Sequence, residues 1–151
     1  MTREAHPEHK VATDGLPYAA PLHAIESISV EIRAGELKFR ATKAINSTDP
    51  YLSGHFPDLP IFPGVFTIEA LRQSVAMALG ESEGIFPEIL TLRSVRLLAP
   101  LLPGHSITLD GTIAPVLNRK SFEVEARCLR SDGVTAALFK VEFGYGAITS
   151  A

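Results

Sequence analysis

The chain has 151 residues, a length that fits one domain with a buried core. Hydrophobic residues make up 46% of it and charged residues 21%, which is typical of globular proteins. The net charge of -3 argues against nucleic acid as the main partner, and the single cysteine, Cys128, excludes an internal disulfide framework. We predict a cytoplasmic protein, because no apolar stretch reaches transmembrane length and the N-terminus lacks the pattern of a signal peptide.

The beginning of the chain predicts a polar arm and then a β-hairpin. Residues 1–17 are polar and have no period, so we expect a loosely held arm, with one domain over residues 18–151. Apolar and polar residues alternate over 28–32 and again over 37–41, as in strands with one buried face. The dipeptide 34–35, Ala-Gly, predicts the turn between them.

A helix and four further strands follow. Residues 49–64 hold four prolines and two glycines, so they cannot form a regular element. Residues 63–79 predict a helix that is apolar nearly all round and therefore buried. The alternation then returns over residues 89–99, 106–113, 122–128 and 134–143. This order predicts an α+β fold, one antiparallel sheet wrapped around a single helix, whose edge strands favour pairing with a second copy.

The residues with the clearest chemical meaning flank the start of the helix. Glu69 lies among apolar helix residues, and desolvation there favours the neutral acid, which can donate a proton. Gln73, one turn further on, can orient that carboxyl group. His55 lies in a loop stiffened by prolines, where a rigidly placed imidazole suits a general base.

The first amides of the helix supply a third element. They have no partner within the helix, and Gly64 lets a ligand approach the backbone closely, so they can polarise a carbonyl oxygen. A thioester carbonyl bound there has an acidic α-carbon. His55 can then remove the α-proton while Glu69 protonates a leaving β-hydroxyl, which yields an enoyl thioester. This chemistry requires no metal or cofactor, and the sequence offers no site for one.

The segment from Gly54 to Gln73 resembles the active-site motif of the FabZ-type 3-hydroxyacyl-acyl-carrier-protein dehydratases, which have the hotdog fold. The pattern Gly-His-Phe-Pro, two residues, Pro, two residues, Pro-Gly is present, and Glu69 follows His55 by fourteen residues. Glutamate resembles the FabZ type, whereas the related FabA type has aspartate at this position. Within this motif and its helix we predict His55 and Glu69 as catalytic residues. The predicted substrate-binding residues are Phe62, Gly64, Val65 and Gln73.

The resemblance implies a dimer in which His55 of one subunit meets Glu69 of the other. It also implies an acyl chain tunnel and an acyl-carrier protein bound through basic residues. The chain departs from the family pattern at Tyr18-Ala19, at His105 and at three helix positions, Phe66, Thr67 and Arg72. These departures favour a specialised polyketide or polyene pathway as much as fatty-acid synthesis.

Two other functions fit the same fold. A hotdog thioesterase would use the same acid or base to direct water at the carbonyl. A non-catalytic subunit would bind acyl-carrier protein or complete a heterodimer. The sequence leaves two alternatives open. The acyl carrier is a carrier protein or coenzyme A, and the assembly is a dimer or a hexamer.

Overall fold

The structure is a computed structural model that describes residues 23–49, 51–80, 85–114 and 120–147. The predicted arm over residues 1–17 lies outside the described residues. The elements in chain order are β1 (Ser27–Arg33), β2 (Glu36–Ala44), α1 (Gly64–Leu79), β3 (Ile85–Leu97), β4 (Ser106–Ile113), β5 (Ser121–Arg130) and β6 (Thr135–Ala147). All six strands form one antiparallel sheet in the order β1-β2-β4-β5-β6-β3. The predicted element order and α+β class are confirmed.

The turns lie where the sequence predicts them. Ala34 and Gly35 both have positive φ, 53° and 78°, and they connect β1 to β2 as a two-residue hairpin turn. Two consecutive positive φ values match the right-handed twist of the flanking strands. Pro63 precedes the helix in an extended conformation, and Gly80 ends it with φ of 72°.

One face of the sheet packs on the helix and forms the core. Along β1 no face is buried, since Val30 and Ile32 are 44% and 79% exposed, so the expectation of one buried face is wrong for this strand. Along β2, β4, β5 and β6 the inward side chains alternate, as predicted for the last three strands. They include Phe39, Ala41, Ile107, Leu109, Val124, Cys128, Val141 and Phe143, all at most 4% exposed. The helix contributes Ala70, Leu71 and Val75 to the same core. Burial of this apolar surface is the main stabilising term of the fold.

The expectation of a helix buried on most sides is wrong for the single chain. Val65 is 65% exposed and Met77 is 56% exposed, whereas the buried residues occupy the side that faces the sheet. The sheet curls around one side of α1 only, so the apolar residues on the other side lie open.

Strand β3 is also longer and more open than the alternation predicted. It begins at Ile85, four residues before the predicted start, and ends at Leu97, two before the predicted end. It forms an edge of the sheet and pairs with β6 through two register irregularities. Leu90, Leu92 and Leu97 of this strand are each about half exposed or more. An apolar edge strand of this kind is a surface on which another chain can pair.

Candidate active site

The loop that carries His55 is closed on itself by hydrogen bonds. The amide of Ile61 donates to the carbonyl of His55 (2.9 Å), and His55 Nδ1 lies 2.9 Å from the carbonyl oxygen of Ile61. A carbonyl oxygen only accepts, so Nδ1 carries the hydrogen and the lone pair of the neutral imidazole is on Nε2. The His55–Phe56 peptide bond is cis. The loop therefore fixes both the position of the ring and the tautomer that a general base requires.

Aromatic packing attaches this loop to the helix. The rings of Tyr51, Phe62 and Phe66 meet edge to face, with centroids 4.6 to 5.8 Å apart. Phe62 is 2% exposed, and its amide donates to the carbonyl of Leu101 (2.7 Å). Edge-to-face contacts favour one arrangement of the rings. Phe62, a predicted substrate-binding residue, thus supports the loop as well as bordering the pocket beside it.

A pocket of about 370 Å³ lies beside His55. It is bordered by the loop, by the first turn of α1, by the end of β3 and the segment after it, and by the start of β6. Its lining is His55, Ile61, Phe62, Gly64, Thr67, Leu97, Leu98, Ala99, Pro100, Leu101, Ala136 and Ala137. Most of these side chains are apolar, so the pocket suits an acyl group better than a charged ligand.

Gly64, at the start of the helix, lies directly against the Leu97 side chain. A Cβ atom at this position would lie 2.5 Å from Leu97 Cδ1. No side chain caps the helix, although the Thr67 hydroxyl donates to the Gly64 carbonyl (2.6 Å). The amide of Phe66 donates to the Pro63 carbonyl (3.0 Å), whereas the amides of Gly64 and Val65 meet no acceptor among the described residues and are left for another acceptor. Val65, predicted to bind substrate, is not among the residues of the pocket and lies on the open side of the helix.

Glu69 is held by two neighbours on its own helix. Arg72 donates to both carboxyl oxygens, from Nε to Oε2 (2.8 Å) and from Nη2 to Oε1 (2.7 Å). Gln73 Nε2 donates to Oε1 (2.9 Å). Arg72 chiefly, together with Gln73, lowers the pKa of Glu69 below its ordinary value, although partial burial acts in the opposite direction. The expectation that apolar neighbours keep Glu69 neutral is therefore wrong for the single chain.

Gln73 lies between this carboxyl group and the start of the sheet. Its Oε1 accepts from the amide of Ala24 (3.0 Å), so the side-chain amide is held at both ends. The predicted orienting role toward Glu69 agrees with this contact. Arg72 is the closer partner of Glu69. Its spacing of three residues from Glu69 is the signal that could have revealed the contact.

The two predicted catalytic residues lie on different sides of the helix. Thr67, which borders the pocket at His55, is 1% exposed, and Glu69 follows it by two residues. Two residues correspond to about 200° around an α-helix, so the two side chains point in nearly opposite directions. Glu69 shares the open side of α1 with Val65 and Arg72. No hydrogen bond or ion pair between described residues joins His55 to Glu69.

The other singled-out residues have structural contacts. His105 Nδ1 accepts from the amide of Leu102 (3.0 Å), and its carbonyl accepts from the amide of Ile45 (2.9 Å). Cys128 is buried in the core. The described part of the chain contains no cluster of three or more His, Cys, Asp or Glu side chains that could hold a metal. Nor does it contain a helix that is long and apolar enough to cross a membrane.

The sequence model of the ApeI-like family, described as ApeI dehydratase, matches residues 31–134. The chain belongs to this family of dehydratases. It is 32% identical over 134 residues to the 3-hydroxyacyl-[acyl-carrier-protein] dehydratase FabZ of Clostridium perfringens, covering 87% of this chain and 93% of that protein. It is 30% identical over 132 residues to the FabZ of Ruminiclostridium cellulolyticum, covering 85% and 89%. The resemblance to FabZ-type dehydratases is confirmed.

Solved structures agree on the fold of this ApeI-like chain. The dehydratase heterocomplex ApeI:P of Xenorhabdus doucetiae matches with a TM-score of 0.58 at 21% identity, over 77% of this chain and 94% of the other. A hot-dog-like protein of Thermanaerovibrio acidaminovorans matches with a TM-score of 0.59 at 16% identity, over 82% of this chain and 84% of that protein. The thioesterase HI1161 of Haemophilus influenzae matches with a TM-score of 0.55 at 13% identity, over 82% of this chain and 80% of that protein. The predicted hotdog fold is confirmed.

Proposed function

We propose that the protein removes water from 3-hydroxyacyl thioesters carried on an acyl-carrier protein and releases trans-2-enoyl thioesters. The observation that carries this proposal is the His55 ring, fixed by the Ile61 carbonyl with Nε2 as its basic atom, beside an apolar pocket. Membership of a dehydratase family and the relatives named FabZ support the same reaction.

The substrate lies with its thioester carbonyl at the first amides of α1. Those amides stabilise the negative charge that develops on the oxygen as the α-proton leaves. Gly64 adds no side chain at this point, and Leu97 packs against it from the strand side. The apolar lining of the pocket receives the nearest part of the acyl group.

The reaction then needs one base and one acid. His55 Nε2 takes the proton from Cα, the electron pair forms the double bond, and the bond from Cβ to the hydroxyl oxygen breaks. Glu69 donates its proton to that oxygen, which leaves as water. Afterwards the imidazolium holds the extra proton and Glu69 is a carboxylate, and proton exchange with water restores both groups.

Glu69 reaches the substrate from a second subunit in this proposal. On its own chain it lies on the open side of α1, away from the pocket at His55. A second copy that pairs along the apolar edge strand β3 would cover this side of the helix with its own His55 loop. The Glu69 side chain is 32% exposed in the single chain. Further burial at the interface raises the pKa of a carboxyl group, which favours the protonated form that the step requires.

The wider context of the reaction follows from the relatives. The FabZ relatives are named for acyl-carrier-protein substrates, and ApeI:P is named as a dehydratase heterocomplex. We therefore include a heterodimer as well as a homodimer among the assemblies. We place the protein in the cytoplasm, in fatty-acid synthesis or in the synthesis of polyketide or polyene chains.

Incubation with 3-hydroxyacyl-acyl-carrier protein, followed by mass spectrometry of the acyl chain, tests the proposal. The expected product has lost one water and is still attached to the carrier. His55→Ala and Glu69→Gln should each slow this step by about 10²-fold or more. His23→Ala and Glu125→Gln, at exposed positions, serve as matched controls and should react at the rate of the unmodified protein.

Thioesterase activity is the second candidate, because a thioesterase shares the fold. It would release free acid and free carrier thiol without an enoyl intermediate. Detection of these products alone would contradict the dehydratase proposal in favour of thioester hydrolysis. Turnover unaffected by both substitutions would instead remove His55 and Glu69 from the mechanism.

A further inference from the structure

Arg72 makes a contact that the proposed chemistry does not by itself require. Its guanidinium donates to both oxygens of the Glu69 carboxyl group, at 2.7 and 2.8 Å. Two parallel bonds from a planar guanidinium fix the plane of a carboxylate as well as its position. Gln73 adds a third bond, and is itself held by the amide of Ala24. The carboxyl group is thus oriented before any substrate arrives.

This ion pair is poorly suited to stabilising the fold. The side chains of Glu69 and Arg72 are 32% and 41% exposed, and exposed pairs contribute little to the free energy of unfolding. The pair also favours the carboxylate, whereas a proton donor needs the carboxylic acid. A contact that adds little stability and opposes protonation has its main effect on the chemistry of Glu69.

Other ionisable groups near the helix make no described contact with Glu69. Among the described residues of β1 to β4, the strands that pack against α1, the ionisable side chain on the inner face is Lys43. It is buried, and its Nζ lies 3.9 Å from a carboxyl oxygen of Glu26. The charged residues of the other three strands lie on the outer face of the sheet. Arg93, for example, pairs there with Glu142. Arg72 is thus the cation in contact with Glu69.

We propose that Arg72 is a positioning residue that orients the Glu69 carboxyl group through its paired donors and, through its charge, sets the upper pH limit of dehydration. This inference rests on the proposed function, in which Glu69 is the acid. The donor form of Glu69 is lost as pH rises through its pKa, and Arg72 lowers that pKa. Removing the guanidinium should therefore extend activity to higher pH, while the loss of orientation lowers the rate at the optimum.

Arg72→Met keeps the length of the side chain and removes its charge and donors, and Arg72→Lys keeps the charge without the paired donors. For Arg72→Met we expect kcat at the pH optimum to fall by about tenfold with KM unchanged, and the descending limb of the kcat profile to move to higher pH. Arg72→Lys should recover part of both effects. Arg33→Met, at an exposed arginine of β1, is the matched control and should leave the profile unchanged.

Thermal unfolding and native mass spectrometry of each variant separate this role from a structural one, because a positioning role predicts an unchanged Tm and an unchanged fraction of dimer. An unmoved descending limb in Arg72→Met would overturn the proposal. So would a raised KM at constant kcat, which would show that Arg72 binds substrate.

A second readout does not depend on turnover. The pKa of Glu69 can be followed by NMR of ¹³C-labelled glutamate carboxyls, its signal being the one lost in Glu69→Gln. If the protein makes no enoyl product, the proposed function fails, and an upward move of that pKa in Arg72→Met then supports only the part of the inference that concerns the effect of Arg72 on Glu69. An unchanged pKa overturns the inference whatever the activity.

Discussion

A site shared between two subunits makes a quantitative prediction for mixed variants. His55 borders a pocket next to Thr67, whereas Glu69 points about 200° away around the same helix. The proposed dimer therefore assigns the two residues of one chain to different sites. In a dimer of one His55→Ala chain and one Glu69→Gln chain, one site has lost both residues and the other has kept both.

Random exchange between the two variants makes about half of the dimers mixed, and each mixed dimer has one complete site of two. The mixture should thus recover about a quarter of the activity of the unmodified protein, starting from two nearly inactive samples. The assay is enoyl formation after equal amounts are mixed or the two chains are co-expressed, with native mass spectrometry to measure the mixed dimer.

The matched control replaces Glu69→Gln by a chain that carries both substitutions. Its mixture with His55→Ala contains no complete site, so its activity should stay at the background level. If mixed dimers of the two single variants form without any recovery, the reasoning that places the residues in different sites is refuted.

Two further predictions concern the core. A Cβ at Gly111 would lie 2.0 to 2.8 Å from ring carbons of the buried Phe39, so Gly111→Ala should destabilise the protein by about 2 kcal/mol and lower Tm by about 4–8 °C. Phe39→Leu should offset part of this loss. Gly54→Ala is the control, because open space surrounds that position, and it should have the Tm of the unmodified protein. Equal Tm values for Gly111→Ala and Gly54→Ala would contradict the packing argument. Burial raises the pKa of Cys128 to about 12, so a thiol reagent at pH 8 should modify it only after unfolding in guanidinium; rapid reaction of the folded protein would show that the thiol is accessible.

The sequence by itself determined the architecture and the identity of the chemical groups. The alternation in the last three strands placed Ile107, Val124 and Phe139 on the inner face, because a side-chain period of two leaves no other choice once one face is buried. The proline-rich motif and the spacing from His55 to Glu69 were sufficient to indicate a FabZ-type dehydratase, because they are local patterns. The hairpin turn and the ends of the helix were predictable for the same reason.

Only the tertiary structure decided the environment of those groups. Leu97 and Ala136 reach the pocket at His55 from strands distant in sequence, and no local pattern predicts which side chains the sheet brings together there. The protonation preference of Glu69 depended on the rotamer of Arg72 and on one turn of helix, which outweighed the apolar neighbours seen in the sequence. Periodicity reports which residues are apolar, but burial depends on which side of the helix the sheet covers, and that side excludes Val65.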